Sequence, residues 1–316
     1  MTREPSVDRP FRLERSVLSV PAVSPELFPK AHAGEADCIM LDCEDSVPPE
    51  AKEAARNNVI DGIRELDWAS SGKTLMVRIN GLDTHYMYRD LVEIVEAAGE
   101  RIHCILLPKV DCAADIHLLD RLLSQIESAV DIPHRIGIEA LIETAAGGLN
   151  AGEIAAASSR LEALHFGAGD FAASCGARTV NIGGLNPDFP GDPWHPVLQM
   201  MVMACRANGL RPVDSAYGDY TDTDGFLAAA RRAAALGFSG KWAIHPSQVG
   251  LANMVMTPTE EEVARARAVL AAMERAGGAG RGAAALEGRM VDIASIRMAR
   301  NVVAMEAALK GRRGPA

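Results

Sequence analysis

Two carboxylates close successive apolar runs in this chain: Glu143 in RIGIEALIET and Asp170 in ALHFGAGDF. A third apolar run, TLMVRIN, ends by presenting Arg78. Carboxylate oxygens suit a hard divalent cation such as Mg²⁺, which keeps waters or substrate oxygens in its remaining positions. A planar guanidinium suits a substrate carboxylate, because it can bind one through two parallel hydrogen bonds. The three residues suggest a metal held by two acids beside an arginine that holds an anion. Structural salt bridges are the alternative for the acids. Small residues flank both (Ala145, Ala146 and Gly147 after one, Ala168 and Gly169 before the other), and these let backbone and ligand approach closely.

Asp42, Glu44 and Asp45 crowd another run end, and three acids this close repel unless neutralised. They order water around a bound metal, pair with Lys52, Arg56, Lys109 or Arg78, or do both at once. Lys109, in LLPKV, raises the chemistry of a Schiff-base lysine. A Schiff-base site does not need two metal-binding acids, so an ion-pairing or substrate-orienting role is expected. His245, in AIHPSQ, reads more simply as a histidine held by a hydrogen bond than as a general base. FGAGD does not complete a GxGxxG pattern, which removes the dinucleotide fingerprint.

Eight apolar runs present these residues: 15–20, 38–43, 74–79, 104–110, 135–142, 163–169, 210–216 and 240–245. Most are apolar on both faces, as buried parallel strands should be. Alanine-rich amphipathic stretches separate them, among them 50–65, 85–98, 113–130 and 223–236. Eight such alternations predict an α/β chain folded as a (β/α)₈ TIM barrel rather than an open sheet. Asp42, Glu44, Asp45, Arg78, Asn80, Lys109, Glu143, Asp170, Asp214 and His245 all follow apolar segments, so they are expected to converge on the C-terminal face of the barrel.

Two segments break the pattern. Residues 178–196 are rich in Gly, Pro and Asn and read as a long binding loop or lid. Residues 277–288 read as a small-residue linker after a helix at 259–275. The linker leads into 289–311, a helix pair or one long helix. The expected domains are a catalytic barrel over 1–276 and a hinge with a small C-terminal helical appendage over 277–316.

The 316 residues suffice for one large barrel domain with such an appendage. A net charge of −10 argues against nucleic acid as the main partner, which needs a basic face. It does not exclude a small anion, because one arginine or metal can dominate a pocket. Six cysteines form no CxxC pair and read as buried thiols in a reducing compartment. The polar start lacks an apolar signal core, and no run approaches a membrane span of about 18 residues. A cytoplasmic location and no membrane partner are expected.

The segments LDCEDSVPPEAKEAAR, VRINGLDT, ILLPKV, IEALIET, LHFGAGDFAAS, DPWH, GKWAIHPSQV and GRMVDIASI resemble the malyl-CoA lyase and citrate lyase β-subunit family, within the HpcH/HpaI aldolases. They span about residues 15–305. LDT after VRING, the DPWH loop and the VDIASI tail look closest to its malyl-CoA lyase branch. The resemblance implies that Glu143 and Asp170 coordinate Mg²⁺, or Mn²⁺ in its place, and that Arg78 binds the carboxylate of glyoxylate or a similar 2-oxo acid. It implies that Asp292 is the catalytic acid/base, delivered to a neighbouring subunit of a homotrimer or hexamer. Backbone N–H groups around Ala168, Gly169 and Asp170 would steady developing charge. Asp42, Glu44, Asp45 and Lys109 would surround the metal site.

The implied reaction is reversible cleavage of a 3-hydroxyacyl-CoA such as L-malyl-CoA or β-methylmalyl-CoA. The products would be acetyl-CoA or propionyl-CoA and glyoxylate, with the CoA thioester as substrate and not as a bound cofactor. Citramalyl-CoA cleavage, malyl-CoA thioester hydrolysis, a CoA-independent hydroxy-oxo-acid aldolase and a non-catalytic citrate-lyase-like subunit are the alternatives. Family members usually carry a Gly and then an Arg or Lys in the loop after the first strand. Ala22 and Ser24 stand there in this chain, which leaves Lys30 as the cation for the CoA phosphates.

Overall fold

The computed structural model describes residues 9–179, 181–278 and 282–312. Eight parallel strands close in sequence order into a barrel, with β8 pairing back onto β1. They are β1 Ser16–Pro21, β2 Cys38–Asp42, β3 Thr74–Arg78, β4 Cys104–Leu107, β5 Gly137–Ile142, β6 Leu161–Phe166, β7 Arg211–Asp214 and β8 Gly240–Ala243. These are the eight apolar runs, trimmed or shifted by a few residues. Residues of β2 to β6 are buried throughout, because one face meets the barrel interior and the other meets the helices.

The helices of this part are α1 Phe28–Ala33, α2 Lys52–Glu65, α3 Met87–Ala98, α4 Ala113–Ala129, α5 Ala145–Leu149, α6 Ala151–Ala156, α7 Ala168–Ser174, α8 His195–Asn208, α9 Thr223–Leu236 and α10 Pro246–Met256. The segment between α7 and α8 is the irregular stretch expected at 178–196; Val180 lies outside the described residues. Trp194 anchors its end, meeting Phe171 edge-on with ring centroids 5.4 Å apart.

Side-chain alternation sorts the barrel interior into layers. Val17, Cys38, Met40, Met76, Leu106, Leu141, Val213 and Trp242 belong to its apolar middle. At the N-terminal strand ends this gives way to charge. Arg12 Nε donates to Glu162 (2.7 Å), while Arg211 reaches Glu14 (3.1 Å), Glu139 (2.7 Å) and Glu162 (3.3 Å). Alternation also corrects one expectation. Val213 points inward, so Asp214 faces the helices, where the buried Lys241 Nζ donates to it over 2.6 Å. Asp214 therefore does not join the C-terminal face of the interior.

The chain divides into two compact units between Met254 and Val255. The second unit contains α11 Glu260–Gly278, a hairpin of β9 Ala284–Leu286 and β10 Arg289–Val291, and α12 Ile293–Arg312. α11 packs within the second unit. Its Ala266, Val269, Ala272 and Met273 form one apolar cluster with Val291 and Ala299. The stretch 277–288, expected to be a linker, ends α11 at Gly278 and builds half of the hairpin; 279–281 lie outside the described residues. Glu287 (φ 50°) and Gly288 (φ 73°) make its turn, where glycine takes a positive φ without the clash of a Cβ. Residues 293–312 form one long helix, resolving the choice left open by the sequence. No helix among the described residues is long and apolar enough to cross a membrane.

Candidate active site

Arg78 ends β3 in the interior and is buried. Its Nε and Nη2 each donate to Asp42 over 2.7 Å. The register that pairs Asp42 with Arg78 across β2 and β3 makes this fork-to-fork contact local. The parallel pair of donors expected to face substrate is thus taken by Asp42. Nη1 lies 2.9 Å from Glu44 Oε2, off the direction of a hydrogen bond, so this contact is an ion pair without a directed bond. N–H groups remain on the terminal nitrogens for an incoming anion. Burial works against the charge on Arg78, but Asp42 and Glu44 outweigh it and raise its pKa.

The three acids at the end of β2 all take part in ion pairs. Asp42 binds Arg78, and Ser46 Oγ and the Glu44 N–H also donate to it, which keeps it ionised against burial. Glu44 takes the Lys109 ammonium, with Asp45 as a more distant partner at 3.4 Å. Lys52 instead donates to the carbonyls of Cys43 and Glu44, and Arg56 pairs with Asp90 and Glu93. Lys109 adopts φ 51°, an uncommon backbone conformation for a side-chain-bearing residue. The turn aims its backbone N–H at Glu143 Oε1 (2.9 Å) while its side chain reaches Glu44. Its pKa is raised by Glu44 and Asp45 despite burial, which removes the neutral amine that Schiff-base chemistry needs.

Glu143 follows β5 and is buried; Asp170 sits in the first turn of α7 and is half-buried. Burial pushes the Glu143 carboxyl up to about 8, and the charges of Glu44 and Asp170 push the same way, against Arg78. A nearly enclosed carboxyl that faces two others is the donor set a hard divalent cation satisfies. Gly167, between β6 and α7, makes room: a Cβ there would meet Glu143 Oε2 at 2.5 Å. The residues fit Mg²⁺ or Mn²⁺. Ala168 and Gly169 stand beside Asp170 in that first turn, whose N–H groups have no partner within the helix.

A second grouping brings Cys104, Glu139 and Glu162 within 4.8 Å at the N-terminal half of the interior. Arg12 and Arg211 already occupy the positions a cation would take there. This cluster is therefore an ion-pair network, with the two guanidinium groups in place of a cation.

His245 is exposed, stacks on Tyr220 with ring centroids 4.7 Å apart and shares a hydrogen bond with Ser247 over 2.8 Å. Lys30 lies exposed on α1 and lines a groove of about 500 Å³ with Leu27, Ala31, Ile244, His245 and Val249. Asp292 belongs to the second unit, where its Oδ1 accepts from the N–H groups of Ala294 (2.9 Å) and Ser295 (3.1 Å) at the start of α12. The Ser295 N–H, with help from that of Ala294, holds its pKa below the ordinary range.

The sequence reading missed Trp242 and His165. Arg78 lies over the Trp242 ring, 5.5 Å from the ring centre, and Trp242 Nε1 donates to His165 Nδ1 over 2.7 Å. Polar residues inside otherwise apolar strands, Glu139 and Glu162 with His165, were the available signal.

Residues 15–246 match the HpcH/HpaI aldolase/citrate lyase family. An L-malyl-CoA/β-methylmalyl-CoA lyase of Rhodobacter capsulatus is 49% identical over 303 residues, covering 93% of this chain and 95% of the relative. A malyl-CoA/β-methylmalyl-CoA/citramalyl-CoA lyase of Chloroflexus aurantiacus is 34% identical, covering 95% and 90%. The crystal structure of protein CitE from Mycobacterium tuberculosis with magnesium, acetoacetate and coenzyme A superposes with a TM-score of 0.75 at 33% identity, covering 93% of this chain and 98% of that one. The motifs at the strand ends, the closed barrel and these likenesses agree: the chain belongs to the HpcH/HpaI aldolase/citrate lyase family.

Proposed function

We propose that this protein is a Mg²⁺-dependent carbon–carbon lyase that reversibly cleaves L-malyl-CoA or β-methylmalyl-CoA to acetyl-CoA or propionyl-CoA and glyoxylate. The observation that carries the reading is a buried Glu143 carboxylate, oriented by the Lys109 N–H, at the same barrel mouth as an arginine locked by Asp42. The likeness to lyases that act on these substrates supports it.

Glu143 and Asp170 would hold the cation, which would supply positive charge to stabilise negative charge developing on the substrate. Arg78 binds the glyoxylate carboxylate through its terminal N–H groups, and Asp42 keeps the guanidinium from turning away. Lys109 neutralises Glu44 and, through its backbone N–H, orients Glu143. The N–H groups of Ala168, Gly169 and Asp170 face developing negative charge. Asp292 is the acid/base. In the direction of synthesis its carboxylate takes a proton from the α-carbon of the thioester, and in cleavage its acid form returns that proton to the enolate carbon. Oδ1 is engaged by the backbone of α12, which leaves Oδ2 for the transfer.

Asp292 sits in a C-terminal unit that we assign to the active site of a neighbouring subunit, in a homotrimer or hexamer. The groove beside α1 takes the CoA moiety, with Lys30 near its phosphates; Ser24 adds no charge there. Six free cysteines, most of them buried, fit a reducing cytoplasmic compartment.

The test is a coupled assay for glyoxylate and acetyl-CoA from malyl-CoA, with Mg²⁺ and with EDTA. Metal-dependent appearance of both products is expected. Free CoA without glyoxylate would instead establish a thioesterase, and no products from folded, Mg²⁺-binding protein would refute the reading.

A further inference from the structure

The interior of this barrel carries a polar chain that the proposed chemistry does not use. Arg211 Nη2 donates to Glu139 Oε1 over 2.7 Å, and the other oxygen of Glu139 meets His165 Nε2. His165 Nδ1 accepts from Trp242 Nε1, and the Trp242 ring lies under the Arg78 guanidinium. Glu139 and His165 are completely buried, and Trp242 is 7% exposed. An apolar layer would fill this space without the cost of burying a carboxylate and an imidazole.

Each link constrains the next. An indole nitrogen only donates, so His165 Nδ1 must be its unprotonated nitrogen and Nε2 must carry the proton. Glu139 accepts that proton's hydrogen bond and fixes the tautomer, while Arg211 keeps the carboxylate ionised against burial. The fixed imidazole orients the indole, and its ring face supports the Arg78 cation at cation–π distance. Asp42 fixes one edge of the guanidinium and Trp242 fixes its face. The two constraints are independent, and together they set the plane in which the remaining N–H groups point.

We propose that Trp242 and His165 are positioning residues for Arg78, through which the ion-pair network at the base of the barrel aligns the arginine that receives the 2-oxo acid carboxylate. This rests on the reading of Arg78 as the carboxylate-binding residue.

The test measures synthesis from acetyl-CoA and glyoxylate. Trp242→Phe keeps a flat ring under Arg78 and removes the N–H that ties it to His165. The glyoxylate KM is expected to rise about three- to tenfold with little change in the acetyl-CoA KM, since only the carboxylate contact loosens. In an Arg78→Ala background the same substitution is expected to add nothing, because the arginine it acts through is gone. A second measurement leaves Trp242 intact: in Trp68→Phe/Trp194→Phe protein it is the one remaining tryptophan, and its emission is expected to change on glyoxylate binding. An unchanged glyoxylate KM in folded Trp242→Phe protein, additive losses in the double variant, or silent emission at saturating glyoxylate overturns the proposal. If Arg78→Ala binds glyoxylate as tightly as the parent in direct titration, the reading of Arg78 itself fails and takes this proposal with it.

Discussion

Cation binding at Glu143 should release a proton, and its pH dependence can be worked from the site. Without a cation, burial and the charges of Glu44 and Asp170 hold the Glu143 carboxyl at about 8. A metal ligand must be the carboxylate, so binding competes with that proton. At pH 7 roughly one site in ten is ionised, so the apparent Mg²⁺ affinity should lie about tenfold below its alkaline limit. It should weaken by a further factor of about ten per pH unit below that and level off above pH 8–9. Because the folded pKa is raised, the stabilising contribution of the protonated group is complete below the ordinary carboxylate range. It is lost as pH climbs through about 8. Ionising Glu143 in the cation-free fold costs on the order of 4–5 kcal/mol relative to a solvated glutamate, so Mg²⁺ should raise the melting temperature most at alkaline pH. Titration calorimetry in buffers of different ionisation enthalpy counts the protons: about one is expected per Mg²⁺ near pH 6.5 and almost none near pH 9.5. Glu143→Gln should remove both the release and most of the affinity. A pH-independent affinity from 6 to 9, or tight Mg²⁺ binding by Glu143→Gln, would refute the reasoning.

Gly167→Ala should crowd Glu143, since its Cβ would lie 2.5 Å from Oε2 and 2.6 Å from the Glu143 Cβ. A loss of about 1–3 kcal/mol in denaturant unfolding, together with weaker Mg²⁺ binding, is the expected result. Glu14 is buried with Oε1 lacking a hydrogen-bond partner, and burial raises its pKa well above the usual range. Its stabilising contribution is therefore complete only below the ordinary carboxylate range and is lost as pH rises through the raised pKa, so Glu14→Gln should melt above the parent at pH 9 and close to it near pH 4. Asp292→Asn should lower turnover by about a hundredfold or more while Mg²⁺ and glyoxylate titrations stay near parental values; full turnover would remove Asp292 from the acid/base role.

Much of this was legible along the chain. Eight apolar runs gave the strand count and hence closure, because parallel strands buried on both faces leave few polar positions except at their ends. Glu143, Asp170 and Arg78 stood out for that reason. The hairpin at 284–291 was hidden inside a stretch of small residues, although Glu287-Gly288 carries turn chemistry. The apolar positions of α11 are compatible with packing on a barrel or on α12, and periodicity does not name the partner; the structure sets them against Val291 and Ala299.

The order of residues set which side chains stand at the strand ends and therefore which chemistry is available. Their partners were settled by the folded barrel. Register across β2 and β3 gives the fork of Arg78 to Asp42, and side-chain parity turns Asp214 away from the mouth toward Lys241. The sequence-distant Glu139, His165 and Trp242 meet under Arg78 only because three strands close around one interior. Spacing along a chain fixes which face a side chain is on, but its partner depends on the neighbouring strand, and that is settled only when the barrel closes.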